Sequence, residues 1–211
     1  MYYGPSLGGK TTNLRALRGL APDGTVGRLM NLETQDEHAL FFNLLPMRLF
    51  TETGVVIKVK AVTVPSQPIH KSTRRIILKG ADGIIFVASS QRDSIEENKG
   101  SFRDLRENLR QVGIAHDIPL VIQFNKQDLP FVRTAEEVAL FGSKVPSPVI
   151  AAAALNGVGV LETLKVLLRL IWPRLEDQLS VSSTLGLDRE SFEASLFTGW
   201  PEPREGVGSI T

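Results

Sequence analysis

A glycine-rich segment near the start of the chain has the residue types and spacing of a phosphate-binding loop. Gly4–Thr11 (GPSLGGKT) matches the pattern G-x-x-x-x-G-K-[ST]. In such a loop Gly9 lets backbone amides point at phosphate oxygens, Lys10 brings positive charge to the outer phosphates, and the Thr11 hydroxyl can bind Mg²⁺. The predicted phosphate-binding residues are Gly4, Ser6, Leu7, Gly8, Gly9, Lys10, Thr11 and Thr12, with Thr11 as the metal ligand.

A second motif, N-K-x-D, spans Asn125–Asp128 and follows directly on the apolar run Leu120–Phe124. An ionised aspartate accepts hydrogen bonds from the ring N–H and the exocyclic amine of guanine, whereas adenine presents an acceptor at the matching ring nitrogen. We therefore expect Asp128 to select guanine, Lys126 to lay its aliphatic stem along the base, and Asn125 to tie this loop to the phosphate loop. The same motif argues against an adenine-nucleotide kinase or ATPase.

A third loop, Ala153-Ala154-Leu155, lies where another contact to the base is expected. The useful group there is a backbone amide, and we expect it to be that of Ala154. A plain turn between a strand and a helix is equally compatible with these three residues.

The elements around these loops predict an α/β fold with a central, mostly parallel sheet covered by helices on both faces. Apolar or alternating runs predict strands, and apolar residues at helical spacing predict helices. The predicted strands are Val55–Val64, Ile84–Ala88, Leu120–Phe124 and Val149–Ala154. The predicted helices are Lys10–Leu20, Ser94–Val112 and Gly159–Arg174, the last ended by Pro173.

The strand that should precede the phosphate loop has only Met1, Tyr2 and Tyr3 available. That strand lies in the middle of such a sheet, so its loss would leave backbone groups of two neighbouring strands unpaired. Either these three residues suffice for a short strand, or the chain is a truncated version of a longer protein. We expect truncation.

Composition narrows the class of protein further. The 211 residues include 24 basic and 23 acidic ones, so the near-neutral charge does not indicate a nucleic-acid partner. There is no cysteine and no apolar run of about 20 residues that could span a bilayer, which predicts a cytoplasmic protein with no integral membrane segment. Residues 176–211 hold seven acidic and two basic residues. We expect a folded domain over 1–175 and a flexible acidic tail over 176–211 that has room for one short helix.

With both motifs in register, the sequence resembles Ras-like small GTPases and, more closely, the bacterial MglA group of gliding-motility and cell-polarity proteins. The resemblance extends from Tyr2 to about Arg174 and lies in Tyr2–Leu14, Leu40–Pro46, Thr63–Gln67, Arg75–Gln91, Pro119–Pro130 and Gly157–Lys165. It implies a three-layer P-loop NTPase fold, GTP/GDP and Mg²⁺ as ligands, and a roadblock-type activating partner. It also implies that Gln67 orients the attacking water and that the switch segments are approximately Gly24–Pro46 and Val64–Lys79.

The sequence departs from this family where hydrolysis takes place. Ser6 replaces a glycine of the phosphate loop, and Ser66 replaces the glycine whose amide contacts the γ-phosphate. Glu37-His38-Ala39 lies where the MglA group has an acidic residue, arginine and threonine, so an arginine finger and a hydroxyl for Mg²⁺ are missing. Thr63 replaces the Mg²⁺-linked aspartate of most Ras-like proteins, as it does in the MglA group. The sequence thus predicts a molecular switch with slow GTP hydrolysis or, alternatively, a non-hydrolysing nucleotide-binding scaffold.

Overall fold

The computed structural model describes residues 1–32, 42–65, 71–114 and 118–201, with Lys71 and Thr73 described only for their backbone. In this part of the chain strands and helices alternate, except for three successive strands between residues 30 and 62 and three successive helices after residue 159. The strands are β1 (Tyr2–Tyr3), β2 (Met30–Leu32), β3 (Phe42–Phe50), β4 (Val56–Val62), β5 (Ile84–Ser89), β6 (Leu120–Asn125) and β7 (Val149–Ala151). The helices are α1 (Lys10–Leu20), α2 (Lys71–Lys79), α3 (Ile95–Gln111), α4 (Ala135–Gly142), α5 (Val160–Leu179), α6 (Val181–Leu185) and α7 (Arg189–Ser195).

Four parallel strands form the sheet that carries the predicted motifs, in the order β1-β5-β6-β7. The register pairs Tyr3 with Phe86, Phe86 with Ile122, and Ile122 with Val149. All six residues of β5 are buried, as expected of a central parallel strand that is covered on both faces. The strands predicted over Ile84–Ala88 and Leu120–Phe124 are confirmed.

A second, antiparallel sheet in the order β2-β3-β4 adjoins the first through β1. A parallel bridge pairs Tyr2 with Thr63 just beyond β4, and the Val64 amide donates to the Tyr2 carbonyl at 3.1 Å. Strand β1 therefore lies between β4 and β5, in the middle of the combined array. Although it has only two residues, both of its tyrosines are 1% exposed, so this short strand is fully covered.

Helices cover both faces of the parallel sheet, which makes the molecule a three-layer α/β structure. Side chains of successive strand residues point to opposite faces. Ile85 and Val87 pack in one apolar cluster with residues of α1 and α5, such as Leu14 and Leu164. Phe86 and its alternate neighbours pack in a second cluster with residues of α3 and α4. The fold class predicted from the sequence is confirmed.

The structure corrects the predicted end of α5. The helix continues through Pro173 to Leu179, although proline removes one backbone donor and costs a helix interior about 3 kcal/mol. Trp172 is buried just before the proline, and Leu175 packs against the same apolar cluster just after it. Burial on both sides of Pro173 explains why the helix does not stop there.

The structure also differs from the flexible tail expected after residue 175. Helices α6 and α7 fold back onto the α1–α5 face, and the rings of Trp172 and Phe192 lie 4.7 Å apart. The apolar residues of this segment are few, and beyond Phe192–Phe197 they show little helical period, yet most of them are buried. The buried ones are Val181, Leu187, Phe192, Leu196 and Trp200. Residues 202–211 lie outside the described part of the chain.

Among the described residues, no helix combines the length and apolar character that crossing a lipid bilayer would require.

Candidate nucleotide site

The predicted phosphate loop connects β1 to α1 at the carboxyl edge of the parallel sheet. Two of its glycines are required by close contacts and by positive φ angles. A Cβ atom on Gly4 (φ 146°) would lie 2.2 Å from the Val87 carbonyl oxygen, and one on Gly9 (φ 102°) would lie 2.1 Å from Asn125 Nδ2. Both positions therefore exclude every residue with a side chain, which explains the two fixed glycines of the motif.

The loop leaves the amino end of α1 open to an anion. No side chain caps this end, and its first turn contains no acidic residue. The first amides of a helix have no acceptor within the helix, and they carry the positive end of its dipole. Thr11 and Thr12 are half-buried in this first turn, while Ser6 and Leu7 are exposed at the top of the loop. With its side chain 89% exposed, Leu7 can contact a phosphate only through its backbone.

Lys10 lies buried beneath the loop. Its Nζ donates to the carbonyl oxygens of Gly4 at 2.9 Å and of Pro5 at 2.7 Å. Burial, together with the smaller effect of the positive charge of Arg74, lowers the pKa of this ammonium to about 8. An anion in the loop would favour the charged form of this lysine.

Asn125 connects all three predicted loops. It is the last residue of β6, and its side chain is buried. Its Nδ2 donates to the Gly8 carbonyl at 2.9 Å, and its Oδ1 accepts from the Ala154 amide, also at 2.9 Å. The predicted tie between Asn125 and the phosphate loop is thus present. The Ala154 amide, expected to face a base, already donates to Asn125.

The remaining residues of the N-K-x-D motif form a turn that is fixed by side-chain hydrogen bonds to residues just after β5. Lys126 has a positive φ of 72°, and its Nζ donates to Gln91 Oε1 at 2.9 Å. The Gln127 side chain donates to Ser90 Oγ at 2.7 Å, while Asp128 is exposed. The carboxylate of Asp128 is therefore open to solvent at the mouth of the site.

In the third loop, Ala153 and Ala154 are buried, whereas Leu155 is 77% exposed. The loop ends in a short 3₁₀ turn over Ala154–Asn156 that leads into α5. Its two alanines are therefore held against the body of the protein, and only Leu155 projects from it.

Where a metal ion is expected, two threonine hydroxyls accept hydrogen bonds from the side-chain amide of one asparagine. Asn43 Nδ2 donates to Thr11 Oγ1 at 3.0 Å and to Thr63 Oγ1 at 3.1 Å. A hydroxyl oxygen is a ligand that Mg²⁺ accepts, so Thr11 fits the predicted role. The described residues contain no cluster of three or more carboxylate, imidazole or thiolate groups that could hold a metal.

Several residues that position the site were not predicted from the sequence. Asn43 and Gln91 lie in stretches that carry the family resemblance. The signal that could have identified Asn43 was a single polar residue between apolar ones, as in Phe42-Asn43-Leu44.

A buried pair of side-chain amides beneath the phosphate loop was also missed. Asn13 and Gln123 exchange two hydrogen bonds of 2.9 and 3.0 Å, and Gln123 also donates to Thr163 at 2.9 Å. This pair fixes α1 to β6 and α5.

Helix α2 is joined to the base of the phosphate loop by a second unpredicted network. Arg74 Nε lies 3.1 Å from Asp104 Oδ2, and Arg74 Nη1 donates to the Pro65 carbonyl at 3.3 Å. Asp104 also accepts a hydrogen bond from the Tyr3 hydroxyl, one residue before Gly4. Helices α2 and α3 and strand β1 are therefore connected through charged and polar groups.

Most of the residues that concern hydrolysis, unlike Ser6 and Thr63, fall outside the described part of the chain. Gln67, Ser66 and the segment Glu37-His38-Ala39 belong to 66–70 and 33–41. Their predicted roles therefore stay predictions.

Comparison with known proteins identifies the family. No protein-family model matches the chain. The chain is 41% identical over 177 residues to the "Mutual gliding-motility protein MglA" of Myxococcus xanthus, in an alignment that covers 83% of this chain and 91% of that protein. Such identity over nearly the whole length of both chains agrees with the three-layer fold and the phosphate loop described above. The chain therefore belongs to the MglA family of Ras-like small GTPases.

Proposed function

We propose that this protein binds GDP and GTP together with Mg²⁺ and acts as a molecular switch in cell motility or polarity, with slow GTP hydrolysis. The observation that carries the proposal is the Asn125 side chain, which bridges the phosphate loop at Gly8 and the third loop at Ala154. One buried carboxamide thus holds together the segments that would contact phosphate and base. The role in motility rests on the name of the Myxococcus xanthus relative.

In this proposal each loop has a separate task. The open end of α1 and Lys10 bind the phosphates, the N-K-x-D turn binds guanine through Asp128, and Thr11 binds Mg²⁺. When bound, Mg²⁺ neutralises charge on the outer phosphates. Lys126, held at its amine by Gln91, presents its aliphatic stem to the base.

Slow hydrolysis follows from the residues that this chain lacks. An arginine finger contributes about 10³–10⁵-fold to the rates of related enzymes, and His38 is shorter and mostly neutral at pH 7. Ala39 has no hydroxyl for Mg²⁺, and Ser6 adds a side chain beside the γ-phosphate. Gln67 remains to orient the attacking water. We expect a roadblock-type activating partner to supply part of the missing stabilisation.

Base selection tests the nucleotide proposal directly. Asp128→Asn replaces an acceptor of two hydrogen bonds by a group with one acceptor and one donor, which matches xanthine better than guanine. We expect GDP affinity to fall at least about 100-fold and XDP affinity to rise, measured by fluorescence titration with Mg²⁺ present. Asp177→Asn, at an exposed aspartate of α5, is the matched control and should bind GDP like the parent. Unchanged GDP affinity in Asp128→Asn would contradict guanine recognition by this turn.

Single-turnover hydrolysis separates a slow switch from a non-hydrolysing scaffold. GTP is loaded onto the protein, and phosphate release is followed with and without a roadblock-type partner. For a slow switch, the double variant His38→Arg/Ala39→Thr should hydrolyse GTP at least about tenfold faster than the parent, because it restores the cation and the hydroxyl. An unchanged rate in this variant, with GTP still bound and no response to the partner, would favour the scaffold.

A further inference from the structure

A cavity of about 600 Å³ lies between α3 and α4, on the opposite face of the sheet from α1 and α5. Two aromatic pairs form its apolar lining. Phe86 of β5 meets Phe102 of α3 edge-to-face with ring centroids 5.0 Å apart, and Phe124 of β6 meets Phe141 of α4 at 5.3 Å. Phe102 and Phe141 are only partly buried, so apolar surface remains open to a ligand.

The mouth of this cavity is positively charged. The described residues that line it include four cations, Lys99, Arg103, Arg106 and Arg133, and no acidic residue. Lys99 is paired with Glu96 at 2.8 Å, so the positive charge at the mouth comes mainly from the three arginines. The Arg133 guanidinium lies over the Phe124 ring, 5.4 Å from its centroid, and so covers one end of the lining. Arg103 and Arg106 are exposed on the α3 side. A bound molecule would meet apolar surface below and positive charge above.

The cavity is elongated along β6. A second cavity of about 320 Å³ shares Arg106, Leu120, Pro146 and Ser147 with the first. The first cavity follows β6 from Phe124 to Leu120, which is about 13 Å at the usual rise of a strand. This length accommodates an extended alkyl chain that lies along β6.

The geometry points to a binding site for a long-chain carboxylate, whose alkyl chain lies between the two aromatic pairs and whose carboxylate meets Arg103 and Arg106. A small polar anion would leave the aromatic lining unused, and a neutral lipid would leave the cations unused. The volume lies within the roughly 300–1,000 Å³ of small-molecule sites. The inference does not rest on nucleotide binding, because none of its residues belongs to the three loops.

Titration calorimetry of the full chain with dodecanoate, kept below its micelle-forming concentration, tests this site. We expect saturable binding of one dodecanoate per chain. The double variant Arg103→Gln/Arg106→Gln should bind it at least about tenfold more weakly, because charge-assisted hydrogen bonds to the carboxylate are lost. Ser147→Phe should also weaken binding, because a phenyl ring at this lining position would fill part of the cavity. Arg110→Gln, an exposed arginine of α3 outside the lining, is the matched control and should bind normally.

Three results would overturn the inference. Dodecanol binding as tightly as dodecanoate would show that the cations do not select a carboxylate. Dodecanoate binding that does not saturate, or that falls equally in Arg110→Gln, would show general adsorption to a basic surface. Binding of an acidic amphipathic peptide by a chain that does not bind dodecanoate would make the cavity a site for a protein partner.

Discussion

Among single side chains, Asn125 makes the contacts that the candidate site depends on most. Asn125→Ala would leave the Gly8 carbonyl and the Ala154 amide without their buried partner, at a cost of about 2–3 kcal/mol in the free energy of unfolding. Because the two loops would no longer be held together, we also expect GDP affinity to fall at least about tenfold. Urea unfolding and fluorescence titration measure the two effects separately.

Asn98→Ala is the matched control for that experiment. The Asn98 side chain also makes two hydrogen bonds to backbone groups, the amide and carbonyl of Ser89, at 2.9 and 2.8 Å, but it touches none of the three loops. It should lose comparable stability while keeping its GDP affinity. If both variants lost affinity in proportion to stability, Asn125 would be a general structural residue and not a specific link in the site.

The pKa of Lys10 predicts how nucleotide affinity changes with pH. In the free protein burial lowers this pKa to about 8, whereas phosphate beside the ammonium would raise it again. Binding then takes up a proton above pH 8, so affinity should be flat below about pH 7 and fall by up to about tenfold per pH unit above pH 8. Titration of Mg·GDP in two buffers of different ionisation enthalpy detects the proton directly. Affinity that rises with pH, or binding without proton uptake, would contradict this role of Lys10.

Among the helices, α2 is held to the body of the protein by the Arg74–Asp104 pair. Asp104→Asn keeps the shape of the side chain but removes its charge beside the buried Arg74, so we expect a loss of about 1–3 kcal/mol in the free energy of unfolding. Hydrogen exchange should speed up in α2 and in Tyr3, because both contact this carboxylate through side chains. Glu107→Gln, an exposed neighbour on α3, is the control and should change neither quantity. Faster exchange spread evenly over all helices would argue against a local link.

The elements with regular patterns could be predicted from the sequence, and the others could not. Lys10–Leu20 was predicted at its observed bounds because its leucines repeat at helical spacing, and β5 because its apolar run is continuous. Helix α4 was missed, although Thr134 and Glu137 form a capping box, with Thr134 Oγ1 accepting from the Glu137 amide at 3.3 Å. Strand β3 was missed because its sequence, FNLLPMRLF, does not alternate regularly between apolar and polar residues.

The candidate site could be predicted only where its residues belong to a motif of fixed spacing along the chain. The phosphate loop and Asn125 belong to short motifs, so their positions could be identified from the sequence. Asn43 contacts Thr11 across 32 positions, and Gln91 contacts Lys126 across 35. No short pattern marks such pairs, because the fold and not the local sequence brings them together.

Across the whole molecule, two sheets and the carboxyl-terminal helices share one core. Strand β1 joins the antiparallel sheet to the parallel one, and the α1–α5 apolar cluster contains Leu45 of β3, Ile85 of β5 and Phe192 of α7. Segments distant in the sequence are therefore buried against one another. A substitution that disturbs the packing of α7 should therefore lower the free energy of unfolding of the entire domain, and its effect should not remain local.

This shared core predicts the effect of Phe192→Ala. Phe192 is 1% exposed and packs against Trp172, so its truncation should lower the free energy of unfolding by about 3–5 kcal/mol. Phe131→Ala makes the same chemical change at a side chain that is 88% exposed, and should change stability by less than about 0.5 kcal/mol. Urea unfolding followed by tryptophan fluorescence reports on both variants, since Trp172 and Trp200 belong to the same buried cluster as Phe192. Equal, small losses in the two variants would mean that residues 181–200 do not pack as described, and that the flexible tail expected from their composition is the better description.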